Sequence, residues 1–150
     1  MTAVQSFAEI EEEFIARVHE AVWCNVATVD GRGWPRSRVL HTIWEGPVGW
    51  IATGRQSFKA RQIARQPHVS LAYLADPLKP VYVDCVAEWQ DDPAEKRRLW
   101  DLFGAAPPPL GYDLAPFFGS IDSPGYGLLR LTPWRIELAN LTGETRVWHA

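Results

Sequence analysis

Turn signals recur so closely along this chain that nearly every element between them must be short. Asp30-Gly31-Arg32-Gly33, Glu45-Gly46-Pro47, Pro67, Asp76-Pro77 and Asp92-Pro93 each interrupt an apolar or alternating run. Glycine supplies positive φ at a hairpin corner, and proline ends helices and is excluded from central strands. The runs between these breaks are rich in β-branched and aromatic residues. Trp23 to Val29, Pro35 to Trp44, Val48 to Thr53, Val69 to Leu74 and Val81 to Trp89 read as strands, followed late in the chain by Leu128 to Leu131, Arg135 to Ala139 and Thr145 to Trp148.

Helices are inserted among these strands. Ser6 with Glu9 three residues on is a capping-box pair, and Phe7, Ile10, Phe14, Val18 and Ala21 recur at helical spacing behind it. Ser57 opens a short helix to about Arg65, and Asp92-Pro93 opens another to Phe103. Gly104 to Gly119, with Pro107-Pro108-Pro109 and Pro116, reads as a long loop and a candidate cleft cover. Strict alternation of strand and helix is missing, which argues against a doubly wound parallel sheet. The expected fold class is α+β, an antiparallel β-barrel with flanking helices, forming one domain over residues 1–150.

Composition removes several function classes. The net charge of −3 gives no broad electrostatic grip on nucleic acid. No apolar run approaches the roughly 20 residues that span a bilayer, and Glu9, Glu11, Glu12 and Glu13 occupy the place of a signal peptide's apolar stretch. Cys24 and Cys85 match no metal or redox spacing and read as buried thiols of a reducing compartment, so the expectation is a cytoplasmic protein. A zinc site of Cys24, Cys85 and His41 has no spacing support, and no metal is expected. Triad, nucleophile-elbow and nucleotide-triphosphate loop motifs are all missing. Eight tryptophans suit a large core, an interface or a planar ligand, without choosing among them.

The stretch that carries chemistry is Trp34-Pro35-Arg36-Ser37-Arg38-Val39-Leu40-His41-Thr42-Ile43-Trp44, with Gly49 to Pro67 after it. Arg36 and Arg38 are two apart on a strand and share a face. A strand ending at Thr53 leads through a Gly-Arg-Gln-Ser loop into a helix whose first turn holds Ser57 and Lys59. Free N–H groups, a hydroxyl and a lysine at a helix start suit an anion, and an arginine from the neighbouring strand completes a phosphate clamp. The residues leave a second reading equally open: a solvated basic helix face continued by Arg61 and Arg65.

These motifs, in this order, resemble the flavin-binding split-barrel superfamily related to pyridoxamine 5′-phosphate oxidase, especially its general-stress-protein branch. The resemblance runs from about Trp23 to His149. It is densest at Arg36 to Leu40 (or, one frame on, Arg38-Val39-Leu40), at Ala52 to Lys59 and at Gln62-Ile63 with Pro67 and Val69, and Leu131 to Leu138 resembles a further strand of the family. It implies an antiparallel split β-barrel binding FMN, with Arg38, Thr53, Ser57 and Lys59 on the phosphate and backbone groups of Val39 and Leu40 at the ring edge. His41, at the end of that strand, is added as a ring or substrate contact. No side chain is required as a catalytic nucleophile, because the redox chemistry belongs to the cofactor.

The resemblance further implies a homodimer with cofactor clefts at the subunit interface, and a small-molecule substrate. Trp23, Trp44, Trp50 and Trp89 then fall to core or dimer surface. Departures from the family pattern remove the oxidase's own substrate. Phe58 stands in place of a second basic loop residue unless Arg55 or Arg61 substitutes, Ala139 replaces a tryptophan, and Arg146-Val147-Trp148 replaces Arg-Leu-His. The extra Arg55, Arg61 and Arg65 also suit the longer anionic tail of the deazaflavin coenzyme F-420. The readings carried forward are a flavin- or deazaflavin-dependent oxidoreductase, a non-catalytic flavin-binding stress protein, and an interaction domain that has lost its cofactor.

Overall fold

The computed structural model describes residues 1–150. Nine strands and four α-helices are arranged in the order β1 (Thr2–Val4), α1 (Glu11–Ala21), β2 (Trp23–Val29), β3 (Pro35–His41), β4 (Ile43–Glu45), β5 (Val48–Gly54), α2 (Phe58–Arg65), β6 (His68–Tyr73), β7 (Val81–Trp89), α3 (Pro93–Ala105), α4 (Ala115–Phe118), β8 (Tyr126–Leu138) and β9 (Arg146–His149). The sheet runs β1-β9-β8-β7-β6-β2-β3, with β5 branching from β8 and β4 pairing β5. All pairings are antiparallel except β1 with β9. The expected antiparallel split barrel with flanking helices is what the chain forms. It stays open where β3 and β5 lie against each other without pairing.

Two apolar layers hold this shape. The larger core gathers Phe14 and Val18 of α1 with Leu71, Val83, Leu129 and Ile136 of the sheet. Phe14 meets the Trp44 ring edge-on at 4.9 Å. Truncating a ring buried this fully costs about 3–5 kcal/mol. The second layer packs Leu99 and Phe103 of α3 against Trp50, Tyr126 and Leu128. Strand β5 serves both layers, with Ile51 in the first and Trp50 and Ala52 in the second. Its apolar run is therefore continuous rather than alternating.

Several boundaries differ from expectation. Ser6 and Glu9 do form the start signal, since the Glu9 carboxylate accepts from the Gln5 and Ser6 amides. Behind that signal, however, Phe7–Glu9 winds as a 3₁₀ turn, and the α-helix begins only at Glu11. The Pro35–Trp44 strand breaks at Thr42, whose buried hydroxyl bonds the Tyr73 hydroxyl at 2.7 Å. The two late strands around Pro133 are one strand, β8. Opposite the Asp84–Cys85 step of β7, β8 carries one extra residue, Trp134, between Pro133 and Arg135, and this bulge accommodates the residue lacking an N–H. Strand β1 carried no sequence signal, and α4 falls inside the expected loop.

The hairpin at Asp30 is as expected. Gly33 takes φ +83°, and Asp30 Oδ1 accepts from the Arg32 and Trp34 amides. Both cysteines are buried thiols. No helix is long and apolar enough to cross a membrane.

Candidate functional site

The opening between β3 and β5 is a cleft of about 490 Å³. Its floor comes from Val39, Leu40 and His41 of β3 and from Ala52, Thr53 and Gly54 of β5. Because β3 pairs only with β2, the backbone groups along its other edge are left unpaired beside this cleft. Those N–H and C=O groups are what a planar heterocycle with donors and acceptors on its rim needs.

Strand alternation splits the four consecutive candidates of β3. Register pairs Arg38 with Val26 and Leu40 with Cys24, both core positions, while Val39 pairs with Asn25 and His41 with Trp23 on the outer face. Arg38 therefore turns under α2. Its Nη1 donates to Thr28 Oγ1 at 2.7 Å, and its Nη2 donates to Gln62 Oε1 at 3.1 Å. Thr28 donates to the same Gln62 oxygen at 2.6 Å. Ser57 caps α2, accepting from the Ala60 amide at 3.4 Å. A Cβ on Gly54 would lie 3.7 Å from Ser57 Cβ, so the strand end that lines the cleft leads directly onto the cap.

Lys59 and Arg38 are close enough that the arginine's charge depresses the lysine's pKa. Burial is the larger cause for the lysine and depresses the arginine as well. Neither forms an ion pair; the ion-paired cations are Arg17, Arg55, Arg98, Arg135 and Arg146. Two half-buried cations that repel each other and meet no carboxylate suit an anion. Of the candidate substitutes for the missing loop cation, Arg55 is engaged elsewhere. It pairs Asp91 at 3.4 Å and lies 4.5 Å over the Trp89 ring. Arg61 lies 4.6 Å over the exposed Phe58 ring and, with Gln62, Arg65 and Gly31, lines a separate groove beside α2.

The far end of the cleft is aromatic. His41 is only 5% exposed, and neither ring nitrogen has a hydrogen-bond partner. Burial pushes its pKa down from the ordinary histidine value, opposed in part by the backbone at Pro109 and Leu110. Tyr112, whose pKa burial raises to about 12, stands edge-on to it at 4.6 Å. Pro109, Tyr112, Asp113, Phe117 and Phe118 come from the segment after α3, which does cover the cleft. Gly111 anchors that segment, since a Cβ there would stand 1.9 Å from the Ala106 carbonyl oxygen.

Val39, Leu40, His41 and Thr53 thus line one cleft; Ser57 lies beside Gly54 of its wall, and Arg38 and Lys59 meet near α2 without lining it. Trp23, Tyr112 and the positioning pair Thr28 and Gln62 were not anticipated. Trp23 was legible from its register opposite His41. The 109–118 contacts depend on where α3 delivers the chain.

Comparison with known proteins gives the same architecture. The family model described as pyridoxamine 5′-phosphate oxidase matches residues 10–139. General stress protein 26 from Bacillus anthracis superposes with a TM-score of 0.71 at 21% identity, over 91% of this chain and 97% of that one. A pyridoxamine 5′-phosphate oxidase-related, FMN-binding protein from Nostoc punctiforme gives 0.67 at 19% identity, covering 93% and 89%. An F420 reductase gives 0.60 at 18% identity, covering 81% and 93%. No curated protein matches the sequence. At these identities the solved structures speak for the fold alone, whereas the family model spans most of the chain, from Ile10 through the cleft strands to Ala139. This chain belongs to the pyridoxamine 5′-phosphate oxidase family.

Proposed function

We propose that the cleft binds FMN and that the protein is an oxidoreductase working by hydride transfer on a small molecule other than pyridoxamine phosphate. The observation that carries this is the pair Arg38 and Lys59, neighbouring half-buried cations without a carboxylate partner, near the start of α2, where Ser57 adjoins Gly54 in the wall of a cleft bordered by the unpaired edge of β3. The phosphate would sit on Arg38, Lys59 and Ser57 with Thr53 beside it. The ring would lie along the backbone of Val39 and Leu40, with His41 at its end. When bound, the flavin supplies the hydride chemistry. The chain's own residues bind, orient and exclude water, and none acts as a nucleophile.

The protein is proposed to act as a cytoplasmic homodimer, with the second copy closing the cleft. Register aligns Val39, Asn25, Ala72 and Tyr82 in one row across β3, β2, β6 and β7. Val39 is 58% exposed and nearby Trp23 56%. That leaves an apolar face suited to a symmetric contact.

A second reading, a deazaflavin with a longer anionic tail, is favoured by the neighbouring groove of Arg61 and Arg65, neither of which is ion-paired. Titrating the purified protein with FMN and with coenzyme F-420, monitored by absorbance and calorimetry, separates the two. Binding of FMN with subsequent turnover by a reductant supports the oxidoreductase. Binding without turnover supports the stress-protein reading of a flavin store. If neither cofactor binds, the flavin reading fails and the interaction-domain reading stands.

A further inference from the structure

Charge is segregated along this chain. Residues 31–75 hold seven of the fifteen lysines and arginines but only one of the eighteen carboxylates, Glu45. That carboxylate is committed elsewhere, to the Trp50 indole and to Arg98. A one-sided positive surface repels itself, and an anionic partner offsets that cost. The proposed phosphate clamp accounts for Arg38 and Lys59, and Asp91 for Arg55. Arg61 and Arg65 are left over.

These two arginines stand one turn apart on α2. With Phe58, Gln62 and Gly31 they line a groove of about 220 Å³ that shares no residue with the cleft between β3 and β5. Neither is ion-paired. Gln62 is the wall between the groove and Arg38. Its Oε1 is taken by Arg38 and Thr28, which leaves the donors of its amide nitrogen for the groove. Asp30, next to Gly31, is turned into its own hairpin, where Oδ1 accepts from the Arg32 and Trp34 amides. The lining side chains therefore offer donors, positive charge and no carboxylate.

The groove also holds a ring. Phe58, the first residue of α2, is 77% exposed, so its ring adds nothing to the core. The Arg61 guanidinium lies 4.6 Å over it. Aromatic rings and guanidinium planes are both surfaces on which nucleobases stack. Arg65 reaches from the helix to the hairpin: a Cβ on Gly31 would stand 2.6 Å from its Nη1, and the glycine leaves the guanidinium its room. An anion alone would need only the arginines, and a flat molecule alone only Phe58. A nucleotide uses both.

We propose that this groove binds a purine nucleotide, its base stacked on Phe58 and the Arg61 guanidinium and its phosphates held by Arg65 and the Gln62 amide. The exposed ring distinguishes it from a site for an acidic tail, which has charge but no flat group. The nucleotide site is separate from the proposed FMN site, and the two can be filled together.

The test is calorimetric titration of the full chain with ADP, adenosine, pyrophosphate and triglutamate, an anion without a ring. ADP should bind about tenfold more tightly than each of the other three, and added salt should weaken it. Phe58→Ala should weaken ADP about tenfold and leave pyrophosphate unchanged. Arg65→Gln should weaken ADP and pyrophosphate about tenfold and leave adenosine unchanged. Both side chains are exposed, and both variants should keep the urea midpoint of the parent chain. Absence of ADP binding, triglutamate binding as tight as ADP, or an ADP affinity that neither substitution moves overturns the proposal. FMN titrated into the ADP-saturated protein separates the two sites. FMN that binds alongside ADP supports the proposal. FMN that displaces ADP puts the nucleotide on the clamp, which overturns this inference and leaves the flavin reading standing. ADP binding by a protein that takes no FMN does the reverse.

Discussion

Gln62 Oε1 holds Arg38 Nη2 at 3.1 Å, and through this bond helix α2 sets the direction of a guanidinium that belongs to β3. The same oxygen takes the Thr28 hydroxyl proton at 2.6 Å, so one side chain ties a helix to two strands. Gln62→Met keeps the length of the side chain and removes the acceptor. FMN affinity should fall by about 1 kcal/mol, near the worth of one hydrogen bond, through loss of Arg38's orientation. Fluorescence titration of the flavin measures it, and an unchanged affinity would show that Arg38 needs no support.

Lys59→Ala removes the charge-assisted contact proposed to the FMN phosphate and should weaken FMN binding by about 1.5–3 kcal/mol. Ser57→Ala acts on two levels, because the same hydroxyl caps α2. Its loss should also lower global stability by about 1 kcal/mol. Comparing urea midpoints with titrations of the two variants separates the binding effect from the cap. Equal stability of Ser57→Ala and the parent chain would contradict the cap.

Acid should destabilise the fold through buried His41 and half-buried His19. His41 and His19 both have folded pKa values depressed below the ordinary 6.5, each chiefly by burial. The charge facing His41 is that of His19, and its ring neighbours Trp23, Phe103 and Tyr112 offer no carboxylate. His19 Nε2 accepts from the Trp44 amide at 3.0 Å, a bond that only the neutral ring can make. The unfolded chain therefore binds these protons more readily than the folded one. Their contribution is complete above about pH 6.5 and is lost as pH falls through the depressed folded values. Urea denaturation at a series of pH values from neutral into mild acid should show this loss, and His41→Phe should flatten the slope. A slope unaffected by that variant would place the titration elsewhere.

Tyr73 is fully buried and its hydroxyl serves two partners, the Trp44 indole N–H at 2.8 Å and the Thr42 hydroxyl at 2.7 Å. Tyr73→Phe strands both in the core. The expected loss is about 1–3 kcal/mol, read from chemical denaturation. A near-neutral result would mean that Thr42 and Trp44 find other partners.

The row of Val39, Asn25, Ala72 and Tyr82 supplies a test of the proposed dimer. Val39→Glu places a charge at the exposed β3 end of this row and should shift the protein to monomer in sedimentation, without lowering its unfolding midpoint at high dilution. A parent chain that already sediments as a monomer would remove the homodimer from the proposed function.

Local signals along the chain were enough for most elements. Asp30 to Gly33 specifies a hairpin because its glycine and Asx-turn bonds are local, and Asp92-Pro93 starts α3 because a cap needs only its own first turn. Pro133 misled for the same reason. Locally it reads as a break, but β8 bulges at the neighbouring Trp134 and keeps its pairing with β7 on both sides, so the strand passes through it. β1 was illegible because its three residues take strand geometry only by lying beside β9 at the other end of the chain.

The sequence by itself determined the residue types of the proposed clamp and their order: Arg38 on a strand, Thr53 at a strand end, Ser57 at a cap and Lys59 in the first turn behind it. Spacing of two and of three to four residues encodes faces, and faces are local. Only the tertiary structure decided that β3 and β5 meet unpaired, that Arg38 is held from below by Gln62, and that the segment after α3 brings Tyr112 to His41. Those relations join residues far apart in the chain, and such long-range packing leaves no periodicity in the sequence to read.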